Sequence, residues 1–149
     1  MMEAQTLGVV HVACPACLTQ NRVPSARLAD QPNCGKCGAA LLDGKPAALD
    51  AASFDAYIDR TGLPVLVDFW APWCAPCRAM APAFEAAAAE LRAKVRFAKV
   101  NTDEAQALAA RMQIRGIPTL VLFEGGRETE RVSGAMDKGS LLRWIAQYV

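Results

Sequence analysis

The sequence predicts an α/β domain built on a mixed β-sheet, with a small cysteine-rich module ahead of it. Three observations carry that reading. From residue 46 to residue 149, strand-like and helix-like hydrophobic patterns alternate. Residues 1–45 instead hold turn formers (Pro15, Pro24, Pro32, Gly35, Gly38 and Gly44) and four of the six cysteines. All six cysteines fall into Cys-x-x-Cys pairs: Cys14/Cys17, Cys34/Cys37 and Cys74/Cys77.

The elements follow in order. A segment as short as residues 1–45 cannot hold itself together by apolar burial and needs a metal or disulfide staple. Leu42-Asp43-Gly44-Lys45-Pro46 reads as the turn that ends it. Ala47 to Leu49 suits a short edge strand, and Ser53 suits the cap of a helix that turns Phe54, Tyr57 and Ile58 to one side. Pro64 to Trp70 is a near-continuous apolar run, as expected of a strand covered on both faces. Ala79 to Arg92 repeats Phe84, Ala87, Ala88 and Leu91 at helical spacing, with Pro82 expected to kink it.

Val95 to Val100 alternates as a strand and completes a β-α-β unit whose strands should be parallel. Asp103 and Glu104 suit the first turn of another helix, where acids complement the dipole. Pro118 to Phe123 is a further strand, Gly125-Gly126 a hairpin turn, and Arg127 to Val132 its polar partner. Asp137 suits the cap of a last helix, with Leu141, Leu142, Ile145 and Val149 inward and Trp144 packing.

Composition narrows the function. The formal charge is +1, with both signs interspersed, which argues against nucleic acid or an anionic membrane as the main partner. Residues 1–8 lack the basic flank and apolar run of a secretory signal, and no stretch approaches the roughly 18 apolar residues of a membrane span. The expected location is the cytosol. In that reducing compartment paired cysteines point to metal or redox chemistry rather than to structural disulfides.

Cys74 and Cys77 lie where the apolar strand gives way to a helix. A thiol there faces unpaired backbone N–H groups and the positive end of the helix dipole, both of which favour the thiolate. A second thiol one turn later can close a small disulfide ring, so the pair reads as a dithiol redox centre. Half of a zinc site, or two plain core cysteines, is the competing reading. Asp68 sits inside the apolar strand, where an isolated carboxylate is costly and its pKa should rise. A merely structural, hydrogen-bonded role for Asp68 stays open, as does an ordinary surface role for Lys99.

Val67-Asp68-Phe69-Trp70-Ala71-Pro72-Trp73-Cys74-Ala75-Pro76-Cys77, then Lys99-Val100-Asn101, then Gly116-Ile117-Pro118-Thr119, resembles the thioredoxin family over roughly residues 47–149. The resemblance implies a thioredoxin fold and a protein-disulfide reductase. Cys74 would be the exposed attacking thiolate and Cys77 the buried resolving thiol. Asp68 would be the acid that takes the proton from Cys77, tuned by Lys99. It implies a cis Pro118 facing the disulfide, and a substrate surface made of Trp73, Pro76, Gly116, Ile117, Pro118 and Gly134. Disulfide-containing client proteins and an NADPH-dependent thioredoxin reductase are the implied partners. A monomer with no organic cofactor is expected. Ala75 stands where most of the family carries glycine, and residues between the cysteines tune the reduction potential. A disulfide oxidase or isomerase, or a redox-sensing, chaperone-like binding protein, is the rival.

Cys14-x2-Cys17-x16-Cys34-x2-Cys37 has zinc-ribbon spacing, so these four cysteines read as ligands of a structural zinc ion. Two further redox pairs, or a disulfide framework, are the alternative. His11 lies close to Cys14, but four cysteines already complete a tetrahedral site, so it reads as a surface histidine. A zinc module joined to such a domain resembles the zinc-containing bacterial thioredoxin 2 group over the whole chain.

Overall fold

A computed structural model describes residues 8–149; the expectation that residues 1–8 form no secretory signal falls almost wholly outside that range. The chain starts with a two-stranded antiparallel ribbon, β1 (Val9–Ala13) and β2 (Gln20–Pro24), followed by a 3-10 turn over Ser25–Asp30. The sequence did not announce these strands, because five-residue strands between turns leave little periodicity. The remaining elements are β3 (Ala47–Leu49), α1 (Phe54–Asp59), β4 (Val65–Trp70), α2 (Ala75–Glu90), β5 (Arg96–Asn101), α3 (Gln106–Arg111), β6 (Thr119–Glu124), β7 (Arg127–Ser133) and α4 (Lys138–Ala146). From β3 onward that is the expected order.

The five-stranded sheet runs β3-β5-β4-β6-β7. β3 and β4 are parallel to β5, while β6 is antiparallel to β4 and β7 antiparallel to β6. Alternation along central β4 divides the core. Val65, Val67 and Phe69 join Phe54, Tyr57, Ile58 and Leu108 in one cluster, under α1 and α3. Leu66 joins Met80, Phe84, Phe97, Leu141 and Ile145 in the other, under α2 and α4. Phe84 and Phe97 meet edge-to-face at 5.0 Å there. β7 is an edge strand with a register shift opposite Leu122/Phe123, and Gly125 and Gly126 turn the hairpin with φ of 63° and 81°.

Several local expectations are corrected. α2 begins at Ala75, since Cys74 itself caps it, and it continues through Pro82, which lies on the exposed side. Asp50, not Ser53, organises the start of α1. Its Oδ1 accepts from the N–H groups of Ala52 and Ser53 and from the Ser53 hydroxyl, which holds its carboxyl below the usual range. Asp103 and Glu104 form a turn ahead of α3, anchored by Asn101, rather than its first turn. Val149 is 47% exposed, because α4 ends at Ala146. Asp137 caps α4 as expected, accepting from Ser140 N–H at 2.8 Å.

The cysteine-rich module docks on the loop between α1 and β4. Gly62 N–H donates to His11 O at 2.6 Å, and a Cβ at Gly62 would lie 3.4 Å from the His11 backbone. The buried Ala13 N–H donates to Thr61 Oγ1 at 3.2 Å, and Arg60 Nη1 donates to Leu18 O at 2.8 Å. Apolar cores cross the junction: Ala13 and Leu18 pack in the cluster under α1, while Leu63 packs with Val12, Val23, Leu41 and Leu42 of the module. Thr61→Val keeps the shape but strands the Ala13 N–H. Equilibrium denaturation should show a loss of about 1–3 kcal/mol; a change within error would mean that this bond does not hold the junction.

Candidate functional site: a dithiol at one sheet end and a four-cysteine cluster at the other

β4 ends at Trp70, and the chain turns through Ala71-Pro72-Trp73 into α2. β6 lies antiparallel to β4, with Thr119 opposite Phe69, so residues just before β6 arrive at that same end. This register brings the two separated motifs together. Cys74 and Cys77 form a disulfide with Cα atoms 5.2 Å apart. The Cys77 N–H donates to Cys74 Sγ at 3.2 Å, the capping contact that favours negative charge on this sulfur. Ile117–Pro118 is a cis peptide, and the Ile117 carbonyl oxygen lies 3.7 Å from Cys74 Sγ.

Around the dithiol, Ala71, Trp70 and Ile117 make an apolar collar. Cys74, expected to be exposed, is only 4% exposed in the disulfide state, and Cys77 2%. Trp73 is 68% exposed, and its indole N–H donates to Asp103 Oδ1 at 3.1 Å. Sequence reasoning missed Asp103, since an acid ahead of a helix looks like a dipole partner. Gly134, at φ 104°, donates its N–H to Pro118 O at 2.9 Å and so joins the group, as does Gly116, whose carbonyl accepts from Thr119 Oγ1. Pro76 is exposed on the first turn of α2.

Asp68 is 1% exposed, and its Oδ1 has no hydrogen-bond partner. It shares the face of β4 that packs on α2, the helix that carries Cys77. Lys99 is its register partner on β5, but the ammonium lies 4.4 Å from the centre of the Trp70 ring and forms no ion pair with Asp68. Burial lifts the Asp68 carboxyl from 3.8 to about 7, and the Lys99 charge offsets this only in part. The structural alternative of a hydrogen-bonded acid has no support in an orphaned oxygen.

The other four cysteines converge at the opposite end. Two alike turns hold them: Leu18 N–H donates to Cys14 O, and Gly38 N–H to Cys34 O, each at 2.9 Å, with positive φ at Leu18 and Gly38. The four Sγ atoms all lie within 4.8 Å of one another, with Cys14–Cys37 at 3.5 Å and Cys17–Cys34 at 3.7 Å. Tetrahedral sulfur around zinc has edges of about 3.8 Å, so the donor set fits. The N–H groups of Ala16 and Cys17 point at Cys14 Sγ, and those of Lys36 and the Asn21 amide at Cys34 Sγ. The Cys37 backbone and Asn21 pull the Cys34 thiol down to about 6, while burial pushes Cys14 up to about 11. Four thiolates side by side need a cation. Exposed His11 is outside the cluster, as expected, and Asn21 is a contributor that no motif announces.

Residues 45–147 match the thioredoxin family, and residues 13–39 match the family described as thioredoxin 2, N-terminal. The chain belongs to the thioredoxin family. This thioredoxin is 43% identical to thioredoxin C-3 of Corynebacterium nephridii over 91% of its own length and 93% of the relative's. The M-type chloroplastic thioredoxin of Chlamydomonas reinhardtii is 35% identical over 85% of this chain and 93% of its own. A Synechocystis thioredoxin is 41% identical over 72% of this chain and the whole of its own length. The chain is accordingly a thiol-disulfide oxidoreductase of the protein-disulfide reductase type, with a metal-binding ribbon at its N-terminal side. No helix among the described residues is long and apolar enough to cross a membrane.

Two outcomes follow for this site. Unfolded Asp68 ionises near 3.8 while the folded group keeps its proton to about 7, so stability is lost as pH rises between these values. By pH 8 the penalty is on the order of 4 kcal/mol. In the oxidised protein Asp68→Asn should match the parent at pH 4 and exceed it increasingly towards pH 8; denaturation curves with a pH-independent gap would sink this account. Chelating metal from the zinc-loaded chain should lower one shared melting transition by roughly 10 °C, as a loss of about 3 kcal/mol would do. A separate low-temperature transition, with the main one unmoved, would show the crossed cores to be uncoupled.

Proposed function

We propose that Cys74, Cys77, Asp68 and Lys99 carry the reductase chemistry, and that Cys14, Cys17, Cys34 and Cys37 hold a structural zinc ion. The observation that carries the reading is the capped disulfide at the end of β4, facing the Ile117 carbonyl beside Pro118, with a partnerless buried acid on the face of β4 that packs on α2. In the reduced protein the Cys74 thiolate attacks one sulfur of a client disulfide. A mixed disulfide forms, and the other client sulfur leaves as thiolate. Cys77 passes its proton to the Asp68 carboxylate and attacks Cys74 Sγ. The second client thiol is released, two electrons have moved to the client, and the Cys74–Cys77 disulfide remains. Lys99 acts on this step by limiting the rise in the Asp68 pKa.

Trp73, Pro76, Gly116, Ile117, Pro118 and Gly134 form the client-docking surface in this reading. Ile117 is well suited to it, because neither its N–H nor its carbonyl has a backbone partner within the chain. An extended client segment can pair with that free backbone while its cysteine meets Cys74. Zinc, if bound, supplies rigidity rather than chemistry: four thiolates around one cation fix two turns that apolar burial alone could not hold. The reading assigns residues 1–45 to the zinc module and residues 46–149 to the redox domain. It places the protein in the cytoplasm as a monomer, recharged by an NADPH-dependent thioredoxin reductase and using no organic cofactor of its own.

The test is the reduction potential of the Cys74–Cys77 couple, from equilibration with glutathione, together with trapping by Cys77→Ser. Thioredoxins are typified by about −270 mV and protein disulfide isomerase by about −180 mV, reference values rather than results for this chain. A potential near the lower value, with Cys77→Ser accumulating mixed disulfides and Cys74→Ser accumulating none, is expected. A potential near the upper value would move the protein to the oxidase or isomerase class, with Ala75→Gly as the first substitution to measure.

A further inference from the structure

Charged side chains near the dithiol are mostly engaged. Asp103 holds Trp73, Arg78 donates to Pro72 O at 2.9 Å, and Lys99 lies over Trp70. Arg131 clasps Glu128 through Nε and Nη2, at 2.7 and 2.8 Å, and also reaches the carbonyls of Met112 and Gln113. Arg115 differs from all of these. It is exposed, and among the described residues it has no hydrogen-bond, ion-pair or ring partner.

Its position gives that free charge a use. Arg115 stands two residues before Ile117, whose carbonyl lies beside Cys74 Sγ. With Gly116, Thr119, Glu128, Arg131 and Ser133 it lines a surface depression of about 500 Å³. Glu128 neutralises Arg131 there, and the hydroxyls of Thr119 and Ser133 are 2.9 Å apart and occupied with each other. One uncompensated guanidinium therefore sets the sign of the depression. A client strand rises about 3.3 Å per residue and repeats its side-chain direction every second residue. A side chain two residues from the attacked cysteine thus lies about 7 Å along the client strand, the same two-residue step that separates Ile117 from Arg115 in this chain. At Gly116, between Ile117 and Arg115, a Cβ would meet nothing within 4 Å, so nothing beyond its chain neighbours crowds that position.

The geometry points to Arg115 as a specificity-determining residue: it and its depression accept an acidic side chain two residues from the client cysteine under attack. A guanidinium pairs with a carboxylate through a planar two-point contact, which a neutral amide matches poorly and an ammonium opposes. The contact is made in the bound complex and is remote from the reacting sulfurs, so it acts on KM. It rests on the reductase reading and on the Ile117 backbone as the client's track.

The experiment uses the full, zinc-loaded chain and disulfide-bonded synthetic peptides that carry Glu, Gln or Lys two residues before or after the cysteine. At low ionic strength the parent should reduce the Glu peptide with a kcat/KM about five-fold above the Lys peptide, the span of an exposed ion pair, and the difference should lie in KM. Arg115→Gln should remove the preference and Arg115→Glu should invert it. About 1 M salt should flatten it in the parent, since the screening length falls to about 3 Å. Equal rates for all peptides at either position, or a preference that survives Arg115→Glu, would overturn the assignment and leave the reductase standing. Failure to reduce any peptide would overturn both.

Discussion

The pairing of β4 with two neighbours of opposite sense is the constraint on which the rest depends. Parallel pairing with β5 sets Asp68 beside Lys99, and antiparallel pairing with β6 sets Phe69 beside Thr119. One register therefore brings a lysine to the buried acid, and the other brings the Ile117–Pro118 peptide to the dithiol. Because side chains alternate along a strand, a one-residue slip would send Asp68 into the cluster under α1 and turn Val67 and Phe69 towards α2. The apolar sequence of β4 resists that slip on both faces at once. At ordinary strand rise β4 spans about 20 Å, which keeps the metal-binding cysteines, docked before its first residue, apart from the redox pair after its last.

The dithiol and the buried acid of β4 sit in contrary electrostatic settings. Cys74 needs a setting that welcomes negative charge, and the start of α2 supplies it through the Cys77 N–H. Asp68 sits where negative charge is disfavoured, through burial and the lack of a partner for Oδ1, so that its carboxylate holds a proton more firmly than an exposed one would. The two settings are separated along the chain: Cys74 caps the start of α2, and Asp68 lies on the face of β4 that packs on α2. The Lys99 ammonium over Trp70 is near enough to temper the acid and too far to pair with it.

Much of this was legible in the residues. The order of elements from Ala47 onward, the capped thiol, the raised acid and the four metal-binding cysteines each followed from local pattern and charge. What escaped were contacts made by residues with several plausible jobs. Asp103 looked like a dipole partner of a helix and is instead the tether of Trp73; Asp50 took the capping role expected of Ser53 because it reaches three donors at once. Val149 matched the periodicity of α4, but the helix stops before reaching it. β1 and β2 were hidden since ribbon strands of five residues alternate too briefly to rise above the surrounding turns. The crossing of cores at Ala13, Leu18 and Leu63 is long-range and leaves no mark in sequence spacing.

The sheet has two edges, and each is poorly suited to receive another strand. β3 is three residues long, and β7 carries Arg127, Glu128, Glu130 and Arg131 along a line broken by its register shift. Short length, charge and a bulge are the devices that keep open sheets from zipping together into aggregates. A protein-disulfide reductase meets polypeptide backbone at every turnover. Its own sheet offers such chains no continuous edge on which to add a strand.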